Sequence, residues 1–146
     1  MEKKQNFPNY RVAVEGIFLK NNKIFICKRA ENCTVAPGRW NVPAGKVKYT
    51  EIPNDAIIRE MEEETKTTIQ DFQCINQRAF ESLMENNEKM YRLVFTYLIT
   101  KWTGNIVLDE EHSEGKWVTK TQLAHNYENM NTELKEILFK IWEQYK

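Results

Sequence analysis

The sequence predicts a mixed α/β (α+β) domain, and three observations carry that reading. Stretches rich in valine, isoleucine and phenylalanine cover residues 11–28 and 69–102. An acidic helix opens at Pro53, and the C-terminal end repeats apolar side chains at helical spacing.

In chain order, residues 11–19 and 23–28 flank Asn21-Asn22, a dipeptide suited to a tight turn, so they form a β-hairpin. Residues 31–39 make a polar loop ending Pro37-Gly38-Arg39. A short buried strand then runs to Pro43 and ends in a glycine turn at Ala44-Gly45. Proline suits the first helical position and an early aspartate suits the positive end of the helix dipole, so Pro53-Asn54-Asp55 starts a helix that reaches about Thr65. Strands resume over 69–81 and 91–102, separated by the polar turn Glu85-Asn86-Asn87-Glu88. After Gly104-Asn105 come a short extended piece, the acidic loop Asp109-Glu110-Glu111-His112-Ser113-Glu114, and a strand through Trp117-Val118. Leu134, Ile137, Leu138, Ile141 and Tyr145 recur with a helical period, so residues 131–146 form an amphipathic helix packed on the sheet. With no internal repeat or linker, residues 10–146 read as one domain behind a flexible tail over residues 1–9.

Composition narrows the function. The 146 residues are 41% hydrophobic and 12% aromatic, enough for a real core. Lys+Arg 21 against Asp+Glu 21 leaves no global field to draw the chain to a nucleic-acid polymer or an anionic membrane. Cys27, Cys33 and Cys74 are odd in number and lack CxxC spacing, which argues against a disulfide framework or a structural zinc and for a reducing cytoplasm. Cys27 reads as a small buried hydrophobe. No signal peptide and no apolar run of membrane-spanning length is expected.

Residues three and four apart share a helix face, so Glu60, Glu63 and Glu64 crowd together beside an apolar strip of Ile57, Ile58 and Met61. Such carboxylates repel one another unless a cation sits among their oxygens, and a hard divalent ion is the natural guest: magnesium, with manganese as the alternative. Most glutamate runs on helices are merely solvated faces. Here the strand, turn and loop that feed directly into the helix make a pocket floor. Arg59, at the edge of the acidic face, can orient a carboxylate through charge-assisted hydrogen bonds.

Gly45, five residues, Glu51, seven residues, then Arg59-Glu60-Met61-Glu62-Glu63-Glu64 resembles the Nudix box at seven defining positions. Lys66 and Thr67 depart from it, standing where the family usually has glycine and an aliphatic residue. A lysine there costs roughly 1 kcal/mol in a left-handed helix end, or shifts that end. The resemblance implies an αβα sandwich with a mixed central sheet between helices, and a metal-dependent hydrolase of a diphosphate linked to a nucleoside. It makes Glu60, Glu63, Glu64 and the carbonyl of Ala44 the metal-binding set, Glu51 a support and Arg59 an orienting residue. Glu63, Glu64, Glu111 and Arg59 form the catalytic set, with Glu111 the choice for general base and Glu114 the second. His112 is a base or, more simply, a solvated loop residue.

Gly45, Arg39 and Trp40 are expected to meet substrate, because Gly38-Arg39-Trp40-Asn41 resembles a stretch in family members that sanitise oxidised purine nucleotides. Phe18, Phe80, Tyr97 and Trp117 are candidates to stack a base, although aromatics dominate cores. The substrate class ranked first is a nucleoside triphosphate, oxidised purine forms included, giving nucleoside monophosphate and pyrophosphate. Nucleoside diphosphate sugars such as ADP-ribose come second, and a non-catalytic nucleotide sensor remains the competing class. A small-molecule partner is implied, and relatives often pair, which leaves a homodimer open.

Overall fold

Strand β1 (Tyr10–Lys20) turns into β2 (Lys23–Arg29) through Asn21 and Asn22, whose φ values of 52 and 62° supply the two left-handed residues of a tight hairpin turn. The computed structural model describes residues 9–34, 36–84 and 86–145; all of the expected tail except Asn9, and Glu85 of the expected polar turn, lie outside them. Next come β3 (Trp40–Asn41), β4 (Ala44–Lys46), α1 (Pro53–Thr65), β5 (Thr68–Leu83), β6 (Lys89–Thr103), β7 (His112–Val118), α2 (Lys120–His125) and α3 (Thr132–Gln144). The strands form one sheet in the order β3-β2-β1-β6-β5, with β4 on β1 and β7 on β2. β1 and β6 are parallel and the other pairings antiparallel, so the sheet is mixed.

Alternation along the strands splits the core into two layers. Val14 and Phe18 of β1 pack with Tyr97 and Ile99 of β6 under Ala56, Ile57 and Met61 of α1. Ile17 of β1, Ile24 and Ile26 of β2 and Leu98 of β6 face Leu134, Leu138, Ile141 and Trp142 of α3. The expected αβα layering is therefore the observed one. No helix among the described residues is long and apolar enough to cross a membrane.

Four local expectations change. Gly45 is not in a turn: it lies within β4, opposite Val14 of β1. The strand expected up to Pro43 is reduced to the half-buried pair Trp40–Asn41. Half of the expected acidic loop, from His112 on, is strand paired with β2. The piece after Gly104-Asn105 joins no strand and instead passes α1, where the Val107 N–H donates to the Thr65 carbonyl at 2.9 Å. Helix α2 was not expected. It is fixed by a capping box in which Thr119 and Gln122 each accept the other's backbone N–H. The end of α1 does not shift. Lys66 takes the left-handed conformation itself (φ 60°, ψ 30°), and the helix closes with the Lys66 N–H on the Glu62 carbonyl and the Thr67 N–H on the Met61 carbonyl.

Candidate active site

Helix α1 starts without a side-chain cap, on Pro53 at its first position, and delivers its acidic residues to two different surroundings. On one side stands Arg59. Its Nε and Nη2 grip both oxygens of Glu51 at 2.8 Å, its Nη1 donates to Glu60 at 2.7 Å and to Glu63 at 3.1 Å, and its Nη2 also reaches the Lys46 carbonyl at 2.9 Å. The fork geometry of a guanidinium explains the two parallel bonds to Glu51. The Lys48 N–H adds a bond to Glu51, which closes the loop between β4 and α1. Hydrogen bonds from Arg59 and Lys48 lower the Glu51 carboxyl to about 2, and the Arg59 guanidinium is held above its ordinary value chiefly by Glu51.

Glu60 lies against β4 at Gly45. A Cβ added there would stand 2.0 Å from the Glu60 carboxylate, so glycine is required for close approach and not for a turn. Burial raises the Glu60 carboxyl while Arg59 pulls it down. Glu63, by contrast, is exposed and does not share the buried face of Glu60 and Glu64.

The other side is centred on Glu64. Glu64 is buried and accepts the Ala44 N–H at 3.0 Å, so the contact of Ala44 with the acidic group runs through its N–H. The oxygens of Glu64, Asp109 and Glu111 come within 4.8 Å of one another. Burial pushes the Glu64 carboxyl up to about 8, Glu60, Asp109 and Glu111 add to the rise, and the Ala44 N–H opposes it. The loop before β7 holds this group in place. The Asp109 carboxylate accepts the Glu111 N–H at 3.2 Å and lies 2.9 Å from His112 Nδ1, while the Ala30 N–H donates to the Glu111 carbonyl at 2.8 Å. Three carboxylates offering only oxygen suit a hard divalent cation.

The expected residues fall in different surroundings. Of the three box glutamates, only Glu64 belongs to the close carboxylate group; Glu60 and Glu63 are drawn to Arg59. His112 is not solvated: its side chain is 4% exposed and pinned to Asp109. Glu114 lies on β7 and pairs with Lys116 at 3.0 Å, away from the group. Asp109 enters the sequence reading only as part of the loop. Its signal was the aspartate two residues before Glu111, which makes a side-chain turn onto that residue's N–H.

Arg39 is exposed, and Trp40 packs edge-on against Tyr127 at 4.8 Å with its strand on β2. Phe18 and Tyr97 are core residues, and Trp117 stacks on Trp102 at 5.9 Å, so among the four aromatics proposed to hold a base only Phe80 is well exposed, at 38%. Cys27 is buried in the core, and burial raises its thiol.

A layered α/β domain whose acidic helix and acidic loop meet at one strand defines a class of hydrolase. The NUDIX domain family matches residues 9–141, and the chain belongs to the Nudix family of hydrolases, which act on phosphoric anhydrides. It is 30% identical over 109 residues to the 8-oxo-dGTP diphosphatase of Escherichia coli, covering 75% of this chain and 79% of that protein. It is 39% identical over 69 residues to the ADP-ribose pyrophosphatase of Methanocaldococcus jannaschii, covering 43% of this chain and 40% of that protein. Among solved structures, the MutT NUDIX hydrolase of Burkholderia pseudomallei superposes with a TM-score of 0.74 at 20% identity, covering 94% of this chain and 99% of that one. That likeness bears on the fold. Nudix enzymes use divalent metals and act on small nucleotides, and this chain is a Nudix pyrophosphohydrolase.

Proposed function

We propose that this chain is a magnesium-dependent pyrophosphohydrolase of nucleoside triphosphates, oxidised purine forms included, releasing nucleoside monophosphate and pyrophosphate. The observation that carries it is the Glu64, Asp109 and Glu111 group, whose oxygens converge within 4.8 Å beside a glycine strand. A bound magnesium or manganese ion would neutralise phosphate charge and activate water. Glu64 and Asp109, with the Ala44 carbonyl and Glu60 nearby, would hold it. Glu63 would join by a rotation away from Arg59, since its side chain is exposed and free to turn.

Arg59 is the positioning residue: by clamping Glu51 and Glu60 it fixes the loop and helix against each other. Glu111 is assigned as general base, taking a proton from the attacking water, because it stands in the carboxylate group while Glu114 is paired elsewhere. The triphosphate ranks first because the 8-oxo-dGTP diphosphatase is matched over most of both chains. The ADP-ribose reading is the second, supported by the higher identity over the shorter match. A panel of nucleoside triphosphates, 8-oxo-purine forms and nucleoside diphosphate sugars, assayed for pyrophosphate or phosphate release with and without magnesium, tests this. Metal-dependent turnover of triphosphates is the expected result; nucleotide binding without turnover of any member would favour the sensor.

A further inference from the structure

Beside the acidic group lies a buried imidazole to which the hydrolase reading gives no role. His112 opens β7 with its side chain 4% exposed, and a polar ring buried to that degree needs a partner. It has one in Asp109, whose Oδ1 lies 2.9 Å from Nδ1. A carboxylate only accepts, so the hydrogen between them belongs to the imidazole and Nδ1 is the donor.

The backbone makes this contact rigid. The His112 N–H donates to the Asp109 carbonyl at 3.2 Å, closing a turn over residues 109–112, and the Glu111 N–H donates to Asp109 Oδ1, also at 3.2 Å. From the far side the turn is tied down at the Glu111 carbonyl, which accepts the Ala30 N–H at 2.8 Å and the Cys33 thiol at 3.4 Å. His112 stands opposite Arg29 of β2, just past an irregularity in the pairing between Lys28 and Arg29. Irregularities of that kind re-aim a side chain, and here the ring turns back onto its own turn. Both side-chain bonds converge on Asp109 Oδ1, so the carboxylate cannot rotate without losing them. Neither uses Oδ2, and an ion bound through that oxygen would leave both in place.

We propose that His112 is a positioning residue for metal binding. Its Nδ1–H fixes the Asp109 carboxylate toward Glu64 and, through the same oxygen, the turn that presents Glu111. The inference rests on the hydrolase reading above and deepens it, because His112 acts through Asp109 and not on the ion itself. Groups that orient a metal ligand in this way typically change metal affinity by about 10–100-fold when replaced.

The test separates the Nδ1 donor from the ring as filler. Asparagine places an amide N–H where Nδ1–H stands, whereas glutamine places its amide where Nε2 stands. Isothermal titration of the substrate-free protein with Mn2+ should give H112N an affinity within about threefold of wild type and H112Q one about tenfold weaker or more. D109N/H112Q should bind no more weakly than D109N, because the imidazole acts through that carboxylate. In turnover of a nucleoside triphosphate, H112Q should raise the half-saturating magnesium concentration by a similar factor, with the nucleotide KM at saturating magnesium within about twofold. A further measurement needs no change at His112. The chain has only two histidines, His112 and His125, so nitrogen-15 spectra of the imidazoles are assigned with H125N. His112 should carry its proton at Nδ1, and its resonances should shift when magnesium is added.

H112Q binding Mn2+ as tightly as wild type, H112N weakened as much as H112Q, or an imidazole bare at Nδ1 overturns the proposal. Should H112Q fail to fold in EDTA, the imidazole spectra decide alone. Failure of the hydrolase reading looks different. If wild type does not bind Mn2+, or E64Q binds it equally well, the metal site itself falls and this proposal with it; a weakened E64Q beside an unaffected H112Q removes this proposal alone.

Discussion

The two ends of the acidic face of α1 are built on opposite electrostatic plans. Around Arg59, every carboxylate has a cation within hydrogen-bond distance, and the Glu51 carboxyl sits well below its ordinary value. One turn on, Glu64 is buried, meets Asp109, Glu111 and a backbone N–H, and its carboxyl rises to about 8, chiefly through burial. The first arrangement is self-sufficient and rigid, as a clamp should be. The second gathers three carboxylates, the donor set that the proposed cation would use.

The largest test removes the Glu64 side. Glu64→Gln keeps the shape and the Ala44 contact while deleting a charge, so kcat in saturating magnesium should fall by about 10²-fold or more. Stability without metal should hold or improve, because the repulsion is relieved. Turnover within threefold of wild type would break the comparison. Next comes the clamp. Gly45→Ala pushes a methyl group into the Glu60 carboxylate and forces it off Arg59. A loss of about 1–3 kcal/mol in urea unfolding should accompany a smaller drop in activity than that of E64Q. A Gly45→Ala variant as stable as wild type would mean that the strand does not need to approach the helix so closely.

This division was only half legible in the sequence. The box spacing and helix period put Arg59 and the glutamates on α1 correctly, because both follow from local geometry. What the period could not tell is which carboxylates Arg59 would take, since Glu60 and Glu63 lie within its reach as much as Glu64 does. That choice depends on β4, where Gly45 lets Glu60 come close and the Ala44 N–H holds Glu64. Asp109 was hidden for a related reason: its hydrogen bonds stay within a loop that shows only polarity in the sequence, and its meeting with Glu64 brings in α1, distant in sequence. The hairpin and α3, by contrast, rest on turn chemistry and periodicity and were read almost to their ends.

A pH titration sharpens the comparison with a smaller effect. The raised Glu64 carboxyl means that the folded, metal-free protein binds more protons than the unfolded chain between about pH 4.5 and 8. Its contribution to stability is therefore fully present below pH 4.5 and lost as pH rises through about 8. Burial raises Glu60 and adds in the same direction, while Glu51, lowered to about 2, loses its contribution only as pH falls toward that value. Urea unfolding in EDTA should show stability declining from pH 5 to 8, with magnesium flattening the decline and binding more tightly at the higher pH. Stability that rises over that interval without metal would mean that Glu64 is already compensated.

The smallest effect concerns the end of the helix that carries both sides. Lys66 holds a left-handed conformation, which costs a residue with a Cβ about 1 kcal/mol. Its ammonium returns part of that by donating to the Glu63 carbonyl at 3.0 Å. Lys66→Gly removes the strain and the bond together, and also makes the unfolded chain freer. The net gain should be under about 1 kcal/mol, a rise in Tm of roughly 2–4 °C at most for a chain of this size. Activity should stay within twofold, because neither Arg59 nor the Glu64 group touches this side chain. A larger change in kcat than in Tm would move the helix terminus out of the scaffold and into the site, for Glu63 and Glu64 are the residues it would have displaced.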